Sequence, residues 1–451
     1  VNNMKPNFLR NTILDVLIRI EKDQGFSHLL VDHEIKSSGL SPKDVNLLTE
    51  VVYGTMQRKI TLDYYISHFV SSKKKLDLWV KMLLRMSIYQ MVYLDKVPDH
   101  AIIHESVEIA KQRGHKGISG FINGVLRSVQ RDGVPNFDNI KDEVKRLSIE
   151  TSHPEWLVSR WVKEYGVSTT KEMCQANLMK KPQSIRIQPL RITREEAMER
   201  LQNQGFEVTA SPFSPQGIIV EKGNILSTDL FRDGLVSIQD QSSMLVGEML
   251  DAHPQMVVLD ACSAPGGKAT HIAEKMENQG VLYAYDLHKK KANLITKKAN
   301  QLGLSIIQAN QSDARKLQEQ HEKESFDRIL IDAPCSGLGV IRGKPEIKYN
   351  KNEEDVKRLS EIQLDILTHV APLLKRDGLL IYSTCTVDVE ENEQVVKEFL
   401  SNHPDFQVDP GFFEELPNAV QNASGITTFG LQLFPQSYNT DGFFLTRLRK
   451  H

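Results

Sequence analysis

Hydrophobic positions recur at helical spacing through the first third of the chain. In "NFLRNTILDVLIRIEKD" the apolar residues Leu9, Ile13, Val16, Leu17 and Ile20 fall on one face. Similar patterns cover "SPKDVNLLTEVVYGTMQRKITLDYYISHFV", "DLWVKMLLRMSIYQMVYLD" and "HAIIHESVEIAKQRG", and "GISGFINGVLR" leads into another helix. Ser41 followed by Asp44 reads as a helix start. No strand alternation intervenes, so residues 1–150 are predicted to form an all-α domain. From residue 151 the texture changes. "SHPEWLVSRWVKEYG" predicts a helix with Pro154 at its first position, after a capping Ser or His. "SIRIQP", "TREEAMERLQNQG", "FEVTA" and "GIIVEK" then read strand, helix, strand, strand, which predicts a small α+β, RRM-like subdomain completing residues 151–236. Its strands lack the paired aromatics by which an RRM stacks bases. Over 237–451 buried apolar strands alternate with helices ("VVLDAC", "VLYAYDL", "SIIQAN", "RILIDAP", "LLIYSTC"), followed by "GFFLTRLR". That pattern predicts a doubly wound, Rossmann-like α/β domain on a parallel sheet. Ligands on such sheets bind beyond the carboxyl ends of the strands.

Composition narrows the class. With 40% hydrophobic and 25% charged residues, the 451-residue chain is globular and large enough for several domains. No run of eighteen apolar residues and no secretory pattern is present, so a cytoplasmic location without a membrane partner is expected. The four cysteines form no CxxC pair, which argues against a zinc site and a disulfide framework, and no metal is expected. The net charge of −2 hides a weak asymmetry: residues 1–150 hold 22 basic against 18 acidic residues, leaving 34 against 40. This permits a nucleic-acid partner without requiring one.

The candidate chemistry lies at strand ends. "VVLDACSAPGGKATHIAE" is a strand, a turn containing Gly266 and Gly267, and a helix start. It lacks GxGxxG, but bare backbone and free helix amides favour an anionic group such as the carboxylate of a methionine moiety. Asp286 ends the second strand, where an acid takes a ribose diol, and Asp313 follows the third, where it can meet an adenine amino group. Asp332 ends the fourth strand beside Pro334 and Cys335, and can accept from an exocyclic amine such as cytosine N4. Cys385 ends the fifth strand, so two thiols share one crevice, whereas Cys174 and Cys262 read as packing residues. Sulfur has a use there. A thiolate adding to C6 of cytosine makes C5 nucleophilic enough to take a methyl from a sulfonium, and loss of the C5 proton with elimination of the thiolate restores the ring. The base must be unstacked to be reached. Spacing does not say which thiol attacks, nor which group removes the C5 proton, and no oligomer signature stands out.

"DACSAPGGK", "DAPCSG", "STCT…EEN" and "FRDGLVSIQDQSS" together resemble the RNA cytosine-C5 methyltransferase family of Sun-like proteins, over about 231–450. The resemblance implies S-adenosylmethionine as cofactor, contacted by Cys262, Ser263, Ala264, Pro265, Gly266, Gly267, Lys268, Asp286, Asp313 and Asp332. It implies that Cys385 is the nucleophile, that Cys335 assists product release, that Lys268 helps to order the active site, and that Asp332 is a further catalytic residue. "LLTEVVYGTMQRKITLDYYI" and "KGISGFINGVLR" resemble a NusB-like RNA-binding domain. Joined to this catalytic domain, it implies an unstacked cytosine of small-subunit (16S) rRNA as target. The rival readings are a tRNA substrate, a DNA cytosine methyltransferase using the Pro-Cys thiol, and an assembly factor with a vestigial site.

Overall fold

A computed structural model describes residues 8–23 and 27–451, which divide into two compact units. One comprises Val1–Met179 with Ile341–Asn352, the other Lys180–Val340 with Glu353–His451.

The first unit is helical among its described residues. The helix Phe8–Asp23 buries Ile13, Val16, Leu17 and Ile20 as its periodicity requires, with Leu9 half-buried. Asn7, at the head of that pattern, lies outside the described residues. Ser41 caps the helix Pro42–Gln57, its hydroxyl accepting from the Asp44 amide at 3.3 Å. The long second pattern is two helices: Arg58, at φ −112° and ψ 21°, leaves helical geometry and separates Pro42–Gln57 from Lys59–Phe69. Leu78–Tyr93, Asp99–Arg113 and Lys116–Asp132 follow, packing Leu83, Ile109 and Ile122 into one core with Leu14 and Leu48. Pro154 does not take the first helical position. It is the N-cap of Glu155–Asn177, with extended backbone, while Ser152 ends the preceding helix in the left-handed region. The segment Ile341–Asn352 is bound into this unit by polar contacts. Lys348 Nζ donates to Gln57 O at 2.8 Å, Gln57 Nε2 donates to Ile341 O at 2.9 Å, and Ser27 Oγ donates to Glu346 at 2.9 Å.

All described strands lie in the second unit. They are β1 (Gln183–Ile187), β2 (Glu207–Ala210), β3 (Gly217–Lys222), β4 (Val236–Ile238), β5 (Val257–Asp260), β6 (Val281–Asp286), β7 (Ile307–Gln311), β8 (Phe326–Asp332), β9 (Leu374–Thr384), β10 (Phe406–Val408), β11 (Ile426–Thr427), β12 (Gly430–Leu433) and β13 (Phe443–Lys450). The first four form an antiparallel sheet in the order β2-β3-β1-β4. With the helix Arg194–Asn203 after β1 and the short helix Asp229–Arg232 before β4, this is the split β-α-β-β-α-β arrangement of ferredoxin-like folds.

The large sheet runs β11-β12-β13-β9-β8-β5-β6-β7, with β10 pairing β13. Strands β9-β8-β5-β6-β7 are mutually parallel, as alternation with helices predicts. The sheet is nevertheless mixed. β13 lies antiparallel to β9, and β12 and β11 extend that edge. The connection from β12 to β13 (434–442) is too short for a crossover helix, so only an antiparallel return is open to it. Cores on the two faces of the sheet gather Leu259, Ile331 and Leu380 on one side and Val258, Leu330 and Ile381 on the other.

Candidate active site

β5 ends at Asp260, and the chain turns through Cys262–Gly266 into the helix Gly267–Lys275. Two amides tie down the turn: Ser263 N donates to Tyr285 O at 2.7 Å and Gly266 N to Ser263 O at 2.8 Å. Gly266 sits at φ 97°, which L side chains rarely adopt, and a Cβ there would press on Ile295 Cα at 3.1 Å. Ala264 is half-buried and Pro265 exposed. Asp286 is the last residue of β6 and accepts from His288 N at 3.0 Å. Asp313 caps the 3₁₀ turn after β7, and Arg315 donates to both its oxygens, at 3.0 and 2.7 Å. Arg315 holds the Asp313 carboxyl below its usual range. All of these acids surround the same turn. Burial first, then the charges of Asp260, Asp332, Asp286 and Asp313, push the Cys262 thiol well up, which makes it a poor nucleophile.

The next two strands bring the thiols together. Cys335 lies three residues beyond β8 and Cys385 one beyond β9, and their Sγ atoms are 3.3 Å apart. The hydrogen bond with Cys385, then burial, then the charges of Cys385 and Glu391 raise the Cys335 thiol well above the ordinary cysteine range. Asp332 lies half-buried beside them, its Oδ2 accepting from Lys268 Nζ and its Oδ1 from Ser383 Oγ, both at 2.8 Å. Burial opposes the Lys268 charge, but Asp332 outweighs it with help from Cys385 and Asp260, so the ammonium persists.

Three further side chains, to which the sequence reading gave no role, shape this site, two of them in the quoted "STCT…EEN" motif. Glu391 accepts from the Ser336 amide at 2.7 Å, the Ser336 hydroxyl at 2.5 Å and Gln363 Nε2 at 3.0 Å, anchoring the loop just after Cys335. Burial lifts the Glu391 carboxyl to about 6, with Ser336 acting the other way. Asn392 Nδ2 donates to Thr386 O at 3.1 Å and Gln432 Oε1 at 2.8 Å, fixing the turn that follows Cys385. The third is Asp260. It is fully buried, and neither carboxylate oxygen has a hydrogen-bond partner among the described residues. A signal for it exists in the sequence, because "LDAC" repeats the strand-end pattern of "IDAP".

Backbone also meets backbone here. Gly339 N donates to Cys385 O at 3.0 Å and Gly442 N to Gly339 O at 2.8 Å. A Cβ on Gly339 would stand 1.9 Å from Gly442 O and 2.8 Å from Cys385 O. Gly339→Ala is therefore expected to lower stability by roughly 1–3 kcal/mol, and to reduce activity beyond that by spreading the two cysteine loops. Urea unfolding and turnover measured together check this, and unchanged turnover in the folded variant would contradict it.

No group of three or more metal-ligating side chains occurs among the described residues, and none of their helices is long and apolar enough to cross a membrane.

Comparison with known proteins agrees with the architecture domain by domain. The profile described as "16S rRNA methyltransferase RsmB/F" matches residues 248–449. That of the NusB family matches 9–131, and a "Methyltr_RsmF/B-like, ferredoxin-like domain" matches 153–226. A "Probable ribosomal RNA small subunit methyltransferase B" of Bacillus subtilis is 49% identical, over 99% of this chain and 100% of its own length. A protein of the same description from Synechocystis is 32% identical over 96% and 98%. The crystal structure of a methyltransferase homologue from Pyrococcus horikoshii superposes with a TM-score of 0.59 at 28% identity, covering 69% of this chain and all of its own. With a NusB-like helical unit, a ferredoxin-like subdomain and a mixed-sheet methyltransferase domain in that order, and near-half identity along its full length to one relative, the chain belongs to the RsmB/F family of ribosomal RNA small subunit methyltransferases.

Proposed function

We propose that this protein methylates C5 of a cytosine in small-subunit (16S) rRNA, with S-adenosylmethionine as methyl donor, Cys385 as nucleophile and Cys335 assisting product release. The observation that carries the reading is the pair of thiols 3.3 Å apart beside the Asp332–Lys268 ion pair. The rRNA substrate is inferred from the relatives, which are named as ribosomal RNA small subunit methyltransferases. In the same reading residues 1–150 dock RNA, 151–236 link and orient, and 237–451 carry the reaction.

The residues around the β5 turn fit the cofactor. Gly266 and Gly267 leave the backbone bare at a helix N-terminus suited to a carboxylate, Asp286 stands at a strand end suited to a ribose diol, and Cys262 through Lys268 form the floor. Asp313 joins them through its backbone or the lone pairs Arg315 leaves free. When bound, S-adenosylmethionine supplies an electrophilic methyl group on a sulfonium.

The chain's own part follows from proton positions. Cys335 keeps its proton and donates it toward Cys385 Sγ, which with the nearby Lys268 ammonium favours Cys385 as the thiolate. Cys385 then adds to C6 of the cytosine. Each Asp332 oxygen accepts one hydrogen bond in the structure and keeps a second lone pair, so the carboxylate can also hold the cytosine N4 amine. After loss of the C5 proton, the S–C6 bond breaks and Cys335 is placed to protonate the departing sulfur.

Methylation of purified RNA classes tests the reading. Small-subunit rRNA is expected to gain one 5-methylcytosine, located by bisulfite sequencing. Gain on tRNA alone, or a methyl group on any atom but C5, would overturn it.

A further inference from the structure

The helix Lys289–Gln301 holds Lys289, Lys290, Lys291, Lys297 and Lys298 and no carboxylate. None of the five forms an ion pair with a described residue. Three of them occupy the first turn, where the helix dipole and their mutual repulsion both disfavour positive charge. Such a helix is less stable alone than with anions laid along it.

Beside it opens a cavity of about 290 Å³. Its wall is apolar, made by Phe231, Ile238, Pro265 and Leu294, with Lys297 and Lys298 at its edge. Ile238 and Leu294 stay exposed. Two buried polar atoms at this place lack partners: Ser237 Oγ, which lines the cavity, and Gln239 Nε2. A Cβ added to Gly267 would lie 3.6 Å from Lys298 Nζ and 3.9 Å from Gln239 Nε2, so both donors converge on the start of the helix Gly267–Lys275. Burial first, then the Arg186 guanidinium, holds the Lys298 ammonium down to about 8 against the pull of Glu274.

We propose that this face binds the single-stranded RNA flanking the target cytosine, with phosphates along the lysine helix and one unstacked base in the Phe231–Leu294 cavity. The combination fits the partner: an apolar slot with unpaired hydrogen-bonding atoms suits a base, and a one-sign stripe suits a phosphate backbone. Pro265 belongs to both the cavity and the β5 turn, so a strand seated here runs past the crevice that holds the thiols. The inference rests on the RNA reading above.

The test uses the full chain and a fluorescent single-stranded RNA of roughly 20 nucleotides, enough to span one binding groove. Anisotropy titrations at several salt concentrations compare wild type with K289E/K290E/K291E, K297A/K298A and L294S, and calorimetry with S-adenosylmethionine reports whether each variant retains its cofactor site. Both lysine variants are expected to weaken RNA binding at least tenfold. K297A/K298A is expected to flatten the slope of log affinity on log salt by about 1.4, or about 0.7 for each phosphate deprived of its lysine. L294S is expected to weaken binding several-fold with the slope unchanged. Wild-type affinity and slope in both lysine variants, with cofactor binding intact, would overturn the assignment while wild-type methylation of rRNA leaves the functional reading standing. If the wild-type protein methylates no small-subunit RNA, the functional reading itself has failed.

Discussion

Cys335→Ala protein, incubated with S-adenosylmethionine and substrate RNA, is expected to accumulate a protein–RNA adduct that survives denaturing electrophoresis. Cys385→Ala is expected to form none, and to lose methyl transfer by roughly 10⁴-fold or more, as removal of an essential nucleophile does. The two sulfurs are 3.3 Å apart, so neighbouring substitutions should produce opposite outcomes. Their shared hydrogen bond raises the Cys335 thiol, which in the proposed reading leaves the attack to Cys385. Without Cys335 the attack still occurs, but the departing sulfur has no adjacent proton donor and the adduct persists. Cofactor binding should survive in both variants, because neither thiol belongs to the β5 turn. An adduct in Cys385→Ala and none in Cys335→Ala would reverse the roles.

The second large effect is on stability. Asp260→Asn is expected to flatten the pH dependence of unfolding between about pH 4 and 8 and to stabilise the protein at the upper end. Burial raises the Asp260 carboxyl from 3.8 to about 7, with Asp332 adding to the rise and Ser263 and Lys268 opposing it. A carboxyl raised in the folded state binds its proton more tightly there than in the unfolded chain. Its contribution is complete below the unfolded value near 4 and is lost as pH rises through 7. A rise of about three units corresponds to roughly 4 kcal/mol at most, enough to move the melting temperature by several degrees in a chain of this size. Asparagine keeps the shape and never ionises. Thermal unfolding of both proteins across that range is the measurement, and parallel curves would show that Asp260 does not titrate there.

Much of this architecture is local and therefore legible along the chain. Strand period, helix period and short connections placed Asp286, Asp313 and Asp332 at or just after strand ends, and the spacing of "DAPC" and "STC" put two thiols beyond neighbouring strands. The helix break at Arg58 and the N-cap role of Pro154 were not legible, because each depends on one residue's backbone angles inside a pattern that reads through it. The antiparallel pairing of β13 with β12 hung on the shortness of the loop that joins them.

What no linear pattern could reveal is which groups lose their water and what then faces them. Asp260 and Asp332 end their strands in the same local pattern, yet Asp332 is held by Lys268 and Ser383 at 2.8 Å while Asp260 is fully buried and has no partner in hydrogen-bond geometry among the described residues. Glu391 and Asn392 stand in the sequence only as the end of the "STCT…EEN" motif, yet they clamp both cysteine loops, and Ser336 in one of them lies 55 residues upstream of Glu391. The two thiols looked equivalent until packing set them side by side. Periodicity records which face of an element avoids water, but ionisation and hydrogen bonding are settled by the neighbours that folding brings from elsewhere, and those alone set the two sulfurs 3.3 Å apart.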